Sequence, residues 1–301
     1  MIDLSFFIHL LNGLLMVGLP VGLAFYLTRR FKLGWRLWWI GAATFILSQA
    51  GHIPFNAILT QLFQAGRLPS PPHSWLPYFN PVILGLSAGL FEEFARAGVY
   101  LWWAKDARSW RRGVLMGAGH GGAEAIILGV LALYTLLQVT AYRTANLAAI
   151  FSGNQLALAQ QQIQTYWSAS WTASLLGAVE RFFTLPIQIC LAVIVLQAFV
   201  RRNPAWIGLA VAWHAAVDGV SVYLGNMWQG QPWSGYANEG VIGIFAVVSI
   251  LILLLLRKAE PEPEPDHSDS VHEPMPVQAI RPVGIDEDLS PEAIEESRYT
   301  H

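Results

Sequence analysis

Apolar residues run in seven long stretches, at about 4–28, 37–62, 81–104, 113–138, 169–200, 205–225 and 237–256. Each meets or approaches the roughly 20 residues that carry a helix across a hydrocarbon core about 30 Å thick. The fold class expected is therefore all-α, a polytopic membrane bundle of about seven transmembrane helices. The first stretch is expected to stay as a helix: MIDLSFF has no basic residue, and Arg29, Arg30, Lys32 and Arg36 follow the apolar run instead of preceding it. Polar residues between the stretches then orient the chain. Arg29, Arg30, Lys32 and Arg36, then Lys105, Arg108, Arg111 and Arg112, then Arg201 and Arg202, then Arg257 and Lys258 fall on alternate connections. The opposite connections hold only Arg67 and Arg143. The positive-inside bias puts the N-terminus outside and the C-terminus in the cytosol.

The outer connections at about 63–80 and 139–168 are longer than the basic ones and are expected to cap or gate the bundle. The second contains QLALAQQQIQ, which suits a short helix on the membrane surface. After residue 256 the pattern changes. Residues 1–256 carry 14 Lys and Arg against 8 Asp and Glu, whereas residues 257–301 carry 4 against 12. The chain divides accordingly into a seven-span domain, 1–256, and an acidic, proline-rich cytosolic tail, 257–301, too poor in apolar residues to fold alone. No internal repeat is visible.

Composition agrees with this division, since 54% of residues are hydrophobic and 13% charged, which excludes a soluble enzyme. The single Cys190 excludes an intrachain disulfide. A multi-pass protein of a bacterial or archaeal cytoplasmic membrane is expected, with lipid around it and no nucleic acid as partner. The sequence sets no oligomeric state.

Charge inside the spans is what points to chemistry, because an acid or base near the bilayer centre costs on the order of 2.5–3.5 kcal/mol. Span three carries Glu92, Glu93 and Arg96; span four His120 and Glu124; span five Glu180 and Arg181; span six His214 and Asp218. Counting from the basic ends, Glu93 lies twelve residues from Lys105, His120 and Glu124 eight and twelve from Arg112, and His214 and Asp218 eleven and fifteen from Asn203. They share one layer. Glu92 with Arg96, His120 with Glu124 and His214 with Asp218 are each four residues apart, so each pair sits on one helix face and three faces can meet around one pocket. Glu180 is expected nearer the outer side. Paired carboxylates beside a guanidinium, with two imidazoles to orient water or bind a developing oxyanion, suit hydrolysis of an amide. Gln49, His52 and Asn56 share a face of span two near Pro54, which suits a cavity lining and not catalysis. The flanking glycines suit close helix packing, and Gly121 and Gly122, beside His120, are expected to open space for a substrate backbone.

EEFAR, GHGGAE, ER and HAAVD, taken together, resemble the YhfC family of intramembrane proteases, relatives of the CAAX-processing and PrsW-type enzymes, across about residues 40–256. The resemblance implies an endopeptidase acting on a membrane protein or peptide. It implies Glu92 as general base, Glu93 with Arg96 as its support, and His120 and His214 as groups that orient water or bind the oxyanion. Asp218 matches the polar position four residues after the last histidine. Gln188 stands where the family resemblance suggests histidine; a glutamine donates hydrogen bonds but ligates metal poorly. A glutamate-type mechanism with no required metal is therefore expected. A divalent metal such as zinc, held by His120, His214 and Glu92, is the alternative. Two other functions fit the same charges: a proton-coupled transporter using the acid and histidine layer as a relay, and a b-type haem protein with His120 and His214 as axial ligands.

Overall fold

The computed structural model describes residues 3–258, and among these every regular element is helical. Seven long helices answer the seven apolar stretches: α1 (Leu4–Phe31), α2 (Arg36–Gln64), α3 (Leu76–Trp102), α4 (Trp110–Tyr142), α7 (Leu176–Val200), α8 (Ala205–Met227) and α9 (Ser234–Lys258). Of these α1, α4, α7, α8 and α9 are long and apolar enough to cross a membrane by length and composition alone. The chain is a polytopic membrane bundle. The remaining elements are α5 (Gly153–Ser168), which includes the glutamine-rich segment, and the single turn α6 (Trp171–Ser174). The proposed tail lies, beyond Lys258, outside the described residues.

Local rules set the ends. Asp3 caps α1 by accepting from the Phe6 amide at 3.1 Å, and Lys32 closes it in the left-handed conformation at φ 54°. The apolar stretch expected over 169–200 is not one helix. Ser170 accepts from the Ala173 amide and starts a separate turn, so α7 begins only at Leu176 and Glu180 falls in its second turn.

α4 is the hub, packed against α1, α2 and α7, while α3 packs against α2 and α8. Two crossings depend on absent side chains. A Cβ at Gly119 would stand 2.0 Å from the Trp38 carbonyl oxygen, and one at Gly41 2.0 Å from that of Met116, so α2 and α4 meet backbone to backbone beside His120. Gly85 and Gly89 do the same for α3 against α8, with the carbonyls of Ala215 and Val211 at 2.6 and 2.8 Å from the notional Cβ. Gly121 and Gly122 hold no free space, contrary to expectation. Gly121 is packed on the Gln188 side chain and Gly122 on Trp38 and Pro20.

The basic connections gather at one end. Arg36 pairs with Asp106 at 2.9 Å and Arg112 with the same carboxylate at 3.2 Å. Arg108 lies over Phe199, Arg201 over Trp206, and Arg257 over Trp110. At the opposite end α5 is fastened to α1: Tyr166 stacks on His9 at 4.0 Å, and Arg143 covers Trp167 while pairing with Asp3.

Candidate active site

The layer of charge forms one connected network. On α3, Glu92, Glu93 and Arg96 face inward, with Glu93 and Arg96 fully buried. Arg96 donates to Glu93, to Glu92 at 3.4 Å and to Gln188 Oε1 on α7. From α4, His120 Nε2 lies 2.9 Å from Glu92 Oε2. From α8, His214 Nδ1 lies 2.6 Å from Glu93 Oε1, while its Nε2 stands 3.9 Å from Glu92 Oε2 and 3.5 Å from Asp218 Oδ2. The two glutamates thus divide the two histidines. Glu93 orients the His214 ring and Glu92 faces both Nε2 atoms.

Glu124, Glu180 and Arg181 form the other half. Arg181 donates to Glu124 Oε1 at 2.6 Å and to Glu180. Gln188 joins the halves: its carbonyl accepts from Arg96 and its amide donates to Glu124 Oε2 at 2.9 Å. That dual role suits an amide, which offers a donor and an acceptor on one planar group. Glu180, expected at the edge, belongs to the site through Arg181. A cavity of about 130 Å³ is shared by Glu92, His214 and Asp218 on one side and Glu124, Arg181 and Gln188 on the other.

Two residues escaped the sequence reading. Gln49 donates to Glu92 Oε1 at 3.0 Å, so it touches the candidate base and does not merely line a cavity. Its i,i+3 spacing to His52 was the available signal; its depth opposite Glu92 was not readable without the α2–α3 packing. Glu239 of α9, which the sequence reading does not single out, is buried within electrostatic reach of Glu180 and Arg181.

The candidate metal ligands His120, His214 and Glu92 come together, but as hydrogen-bonding partners. His120 Nε2 and Glu92 Oε2 sit at direct hydrogen-bond distance, and a guanidinium already opposes the Glu92 charge. Gln188 spends its carbonyl on Arg96. Among the described residues no three His, Cys, Asp or Glu side chains are arranged to hold a metal ion. The donor set does not fit one as it stands.

A membrane bundle whose middle layer is a closed set of carboxylates, guanidinium groups and imidazoles around a small cavity defines a polytopic membrane protein with a buried polar site. The chain belongs to the family described as YhfC intramembrane metalloprotease, which matches residues 15–246. It is also 26% identical over 211 residues to a protein of Bacillus subtilis (strain 168) described as the uncharacterized membrane protein YhfC, covering 68% of this chain and 79% of the relative. No solved structure matches the chain significantly.

Proposed function

We propose that the chain is an intramembrane endopeptidase of the glutamate type, hydrolysing a peptide bond of a membrane protein or membrane-bound peptide, with the basic end of the bundle in the cytosol. One observation carries this reading. Glu92 has one oxygen held by Gln49 and the other turned toward two imidazole nitrogens, 2.9 and 3.9 Å away, at the depth where the spans should be driest. A separation of 3.9 Å is too long for a direct hydrogen bond and short enough for one water oxygen to bridge the two groups.

In the proposed reaction Glu92 Oε2 takes a proton from water as the oxygen attacks the scissile carbonyl carbon. His120 and His214 donate through Nε2 to the carbonyl oxygen as it gains charge, with Glu93 fixing the His214 ring at Nδ1 and Asp218 releasing Nε2 to the substrate. The C–N bond then breaks, and the proton on Glu92 passes to the leaving nitrogen. Arg96 stays paired with Glu93 throughout, and Glu93 anchors the ring. The family's name speaks of a metal; in this chain the charged groups needed for each step are already supplied by side chains.

The test is comparative membrane proteomics of cells expressing the natural chain or Glu92→Ala. A membrane peptide that accumulates uncut with Glu92→Ala, and equally with His214→Ala, is expected. Undiminished turnover in both variants at equal expression overturns the proposal.

A further inference from the structure

Two cavities lie between α2 and α3. One, of about 560 Å³, has mixed walls that include Asn56, Thr60, His73 and Asn80. The other, of about 520 Å³, is almost wholly apolar, with Phe55, Leu90, Phe91 and Phe94 in its walls. Both are lined by Leu59 and Ile83, so they are neighbours along the interface, and the walls of the second include Phe91 and Phe94, which flank Glu92 in sequence. Phe55, Leu90 and Phe94 are exposed on the outside of the bundle, which leaves the groove open sideways to lipid.

A polar stripe runs along the same interface. Gln49, His52, Asn56 and Thr60 share one face of α2. Asn56 Nδ2 lies 2.8 Å from His52 Nε2, His52 lies 3.1 Å from Ser87 Oγ on α3, and Ser87 donates to Asn56 Oδ1 at 3.3 Å. The stripe ends where Gln49 donates to Glu92.

A lipid tail has no use for such a stripe. An unwound peptide does, since each backbone amide left unpaired in hydrocarbon costs several kcal/mol. Size points the same way: the cavity at Glu92, about 130 Å³, cannot admit a helix about 10 Å across, so a chain cut there is extended. From Thr60 to Gln49 the helix rises about 16 Å, the length of about five residues of extended chain.

We propose that the α2–α3 groove is the seat of the substrate polypeptide. An extended segment lies from the Thr60 end to Glu92, its amides partnered by Asn56, Ser87 and Gln49 and its apolar side chains among Phe55, Leu90 and Phe91. This rests on the protease reading, since it names what the site of Glu92 receives.

The experiment uses the full chain in lipid nanodiscs, with Thr60→Cys, Ser87→Cys or Ile53→Cys made singly; Cys190 is buried and serves as background. Two probes are applied and adducts are counted by intact mass: the small reagent sulfonatoethyl methanethiosulfonate, and an unstructured ten-residue Gly-Ala-Ser peptide bearing a terminal maleimide. Both probes are expected to label Thr60→Cys, which is exposed, and Ser87→Cys, which is buried against His52 and Asn56 but lines the second cavity as Cys190 does not, at least tenfold faster than Ile53→Cys, which lies on the lipid-facing side of α2. Ser87→Cys silent to both probes, or open to the small reagent and closed to the peptide, overturns the proposal, as does equal labelling of Ile53→Cys. Should Ser87→Cys fail to fold, Asn56→Cys across the groove takes its place. Labelling needs no proteolysis, so a groove that labels while Glu92→Ala changes nothing in the membrane proteome sinks the protease reading alone. Cleavage lost with Glu92→Ala while Ser87→Cys stays silent sinks the groove alone.

Discussion

Gln49 donates a 3.0 Å hydrogen bond to Glu92 Oε1, and this bond decides which oxygen of Glu92 faces the imidazoles. Without it the carboxylate is held through Oε2 alone, by His120 and Arg96. Gln49→Leu, close in size but unable to donate, is expected to lower turnover about tenfold or more while leaving thermal stability nearly unchanged, as fits a lost orienting contact to a catalytic group. Cleavage at the natural rate by a folded Gln49→Leu protein sinks that role.

Glu92→Gln keeps the shape of the side chain and removes its basicity. General-base catalysis contributes about 10²–10⁴-fold, so cleavage should fall at least a hundredfold. Normal expression and an unchanged unfolding temperature are expected alongside, because Arg96 retains Glu93 and Gln188 as partners. The measurement is the rate of disappearance of the uncut membrane peptide at matched protein levels.

Arg96 is the opposite case. It is fully buried between Glu92 and Glu93, and removing one member of a buried pair leaves uncompensated charge, at about 3–5 kcal/mol. Arg96→Met is expected to lose folded protein in detergent at temperatures the natural chain survives. Adding Glu93→Gln to it should recover part of that loss, measured by thermal unfolding of the single and double variants.

Much of this was legible in the sequence because charge is scarce within the spans. Glu92, Glu93, Arg96, His120 and His214 stood out by type, and their four-residue spacings placed them on faces that do converge. What failed needed packing. Gln49 and Ser87 are ordinary polar residues until α2 and α3 are set side by side. Glu180 does lie near the outer start of α7, as counting from Arg201 places it, but only the packing shows that Arg181 ties it to Glu124. The break at Leu175 was hidden because an apolar run does not reveal that Ser170 will cap a separate turn.

Gly119 shows how packing reaches chemistry. A methyl group there would lie 2.0 Å from the Trp38 carbonyl, which is backbone and cannot rotate away. Gly119→Ala should therefore push α2 from α4, costing about 1–3 kcal/mol as overpacking, and displace the neighbouring His120 from Glu92. Loss of cleavage is expected to exceed loss of folded protein. The mirror change at Gly18, whose notional Cβ has nothing within 4 Å, should leave both unaltered.

The charge at the membrane surface makes a contrasting prediction. The Arg36 guanidinium beside Asp106 holds its carboxyl below the ordinary carboxylate value, so the folded state binds a proton there less readily than the unfolded one. Any stabilisation is thus present at neutral pH and fades as the pH falls through the acid range. Both partners are more than half exposed, and such pairs contribute about 0–1 kcal/mol. Asp106→Asn should cost under about 1 kcal/mol near pH 7 and progressively less as the pH falls through the acid range.

Metal dependence is the point on which the proposed glutamate-type mechanism and the family's description predict opposite outcomes. A hydrolytic zinc site needs three protein donors about 2 Å from a common point and an open fourth position. Here His120 is engaged with Glu92, His214 is anchored to Glu93, and Gln188 gives its oxygen to Arg96. A divalent ion entering between them would have to displace the hydrogen bonds that fix the site and sit against a guanidinium it repels. Purified protein is therefore expected to hold well under one equivalent of zinc, and 1,10-phenanthroline should leave cleavage of the accumulating peptide unchanged. Stoichiometric zinc, removed by the chelator together with activity and restored with it, would transfer the activation of water from Glu92 to the ion.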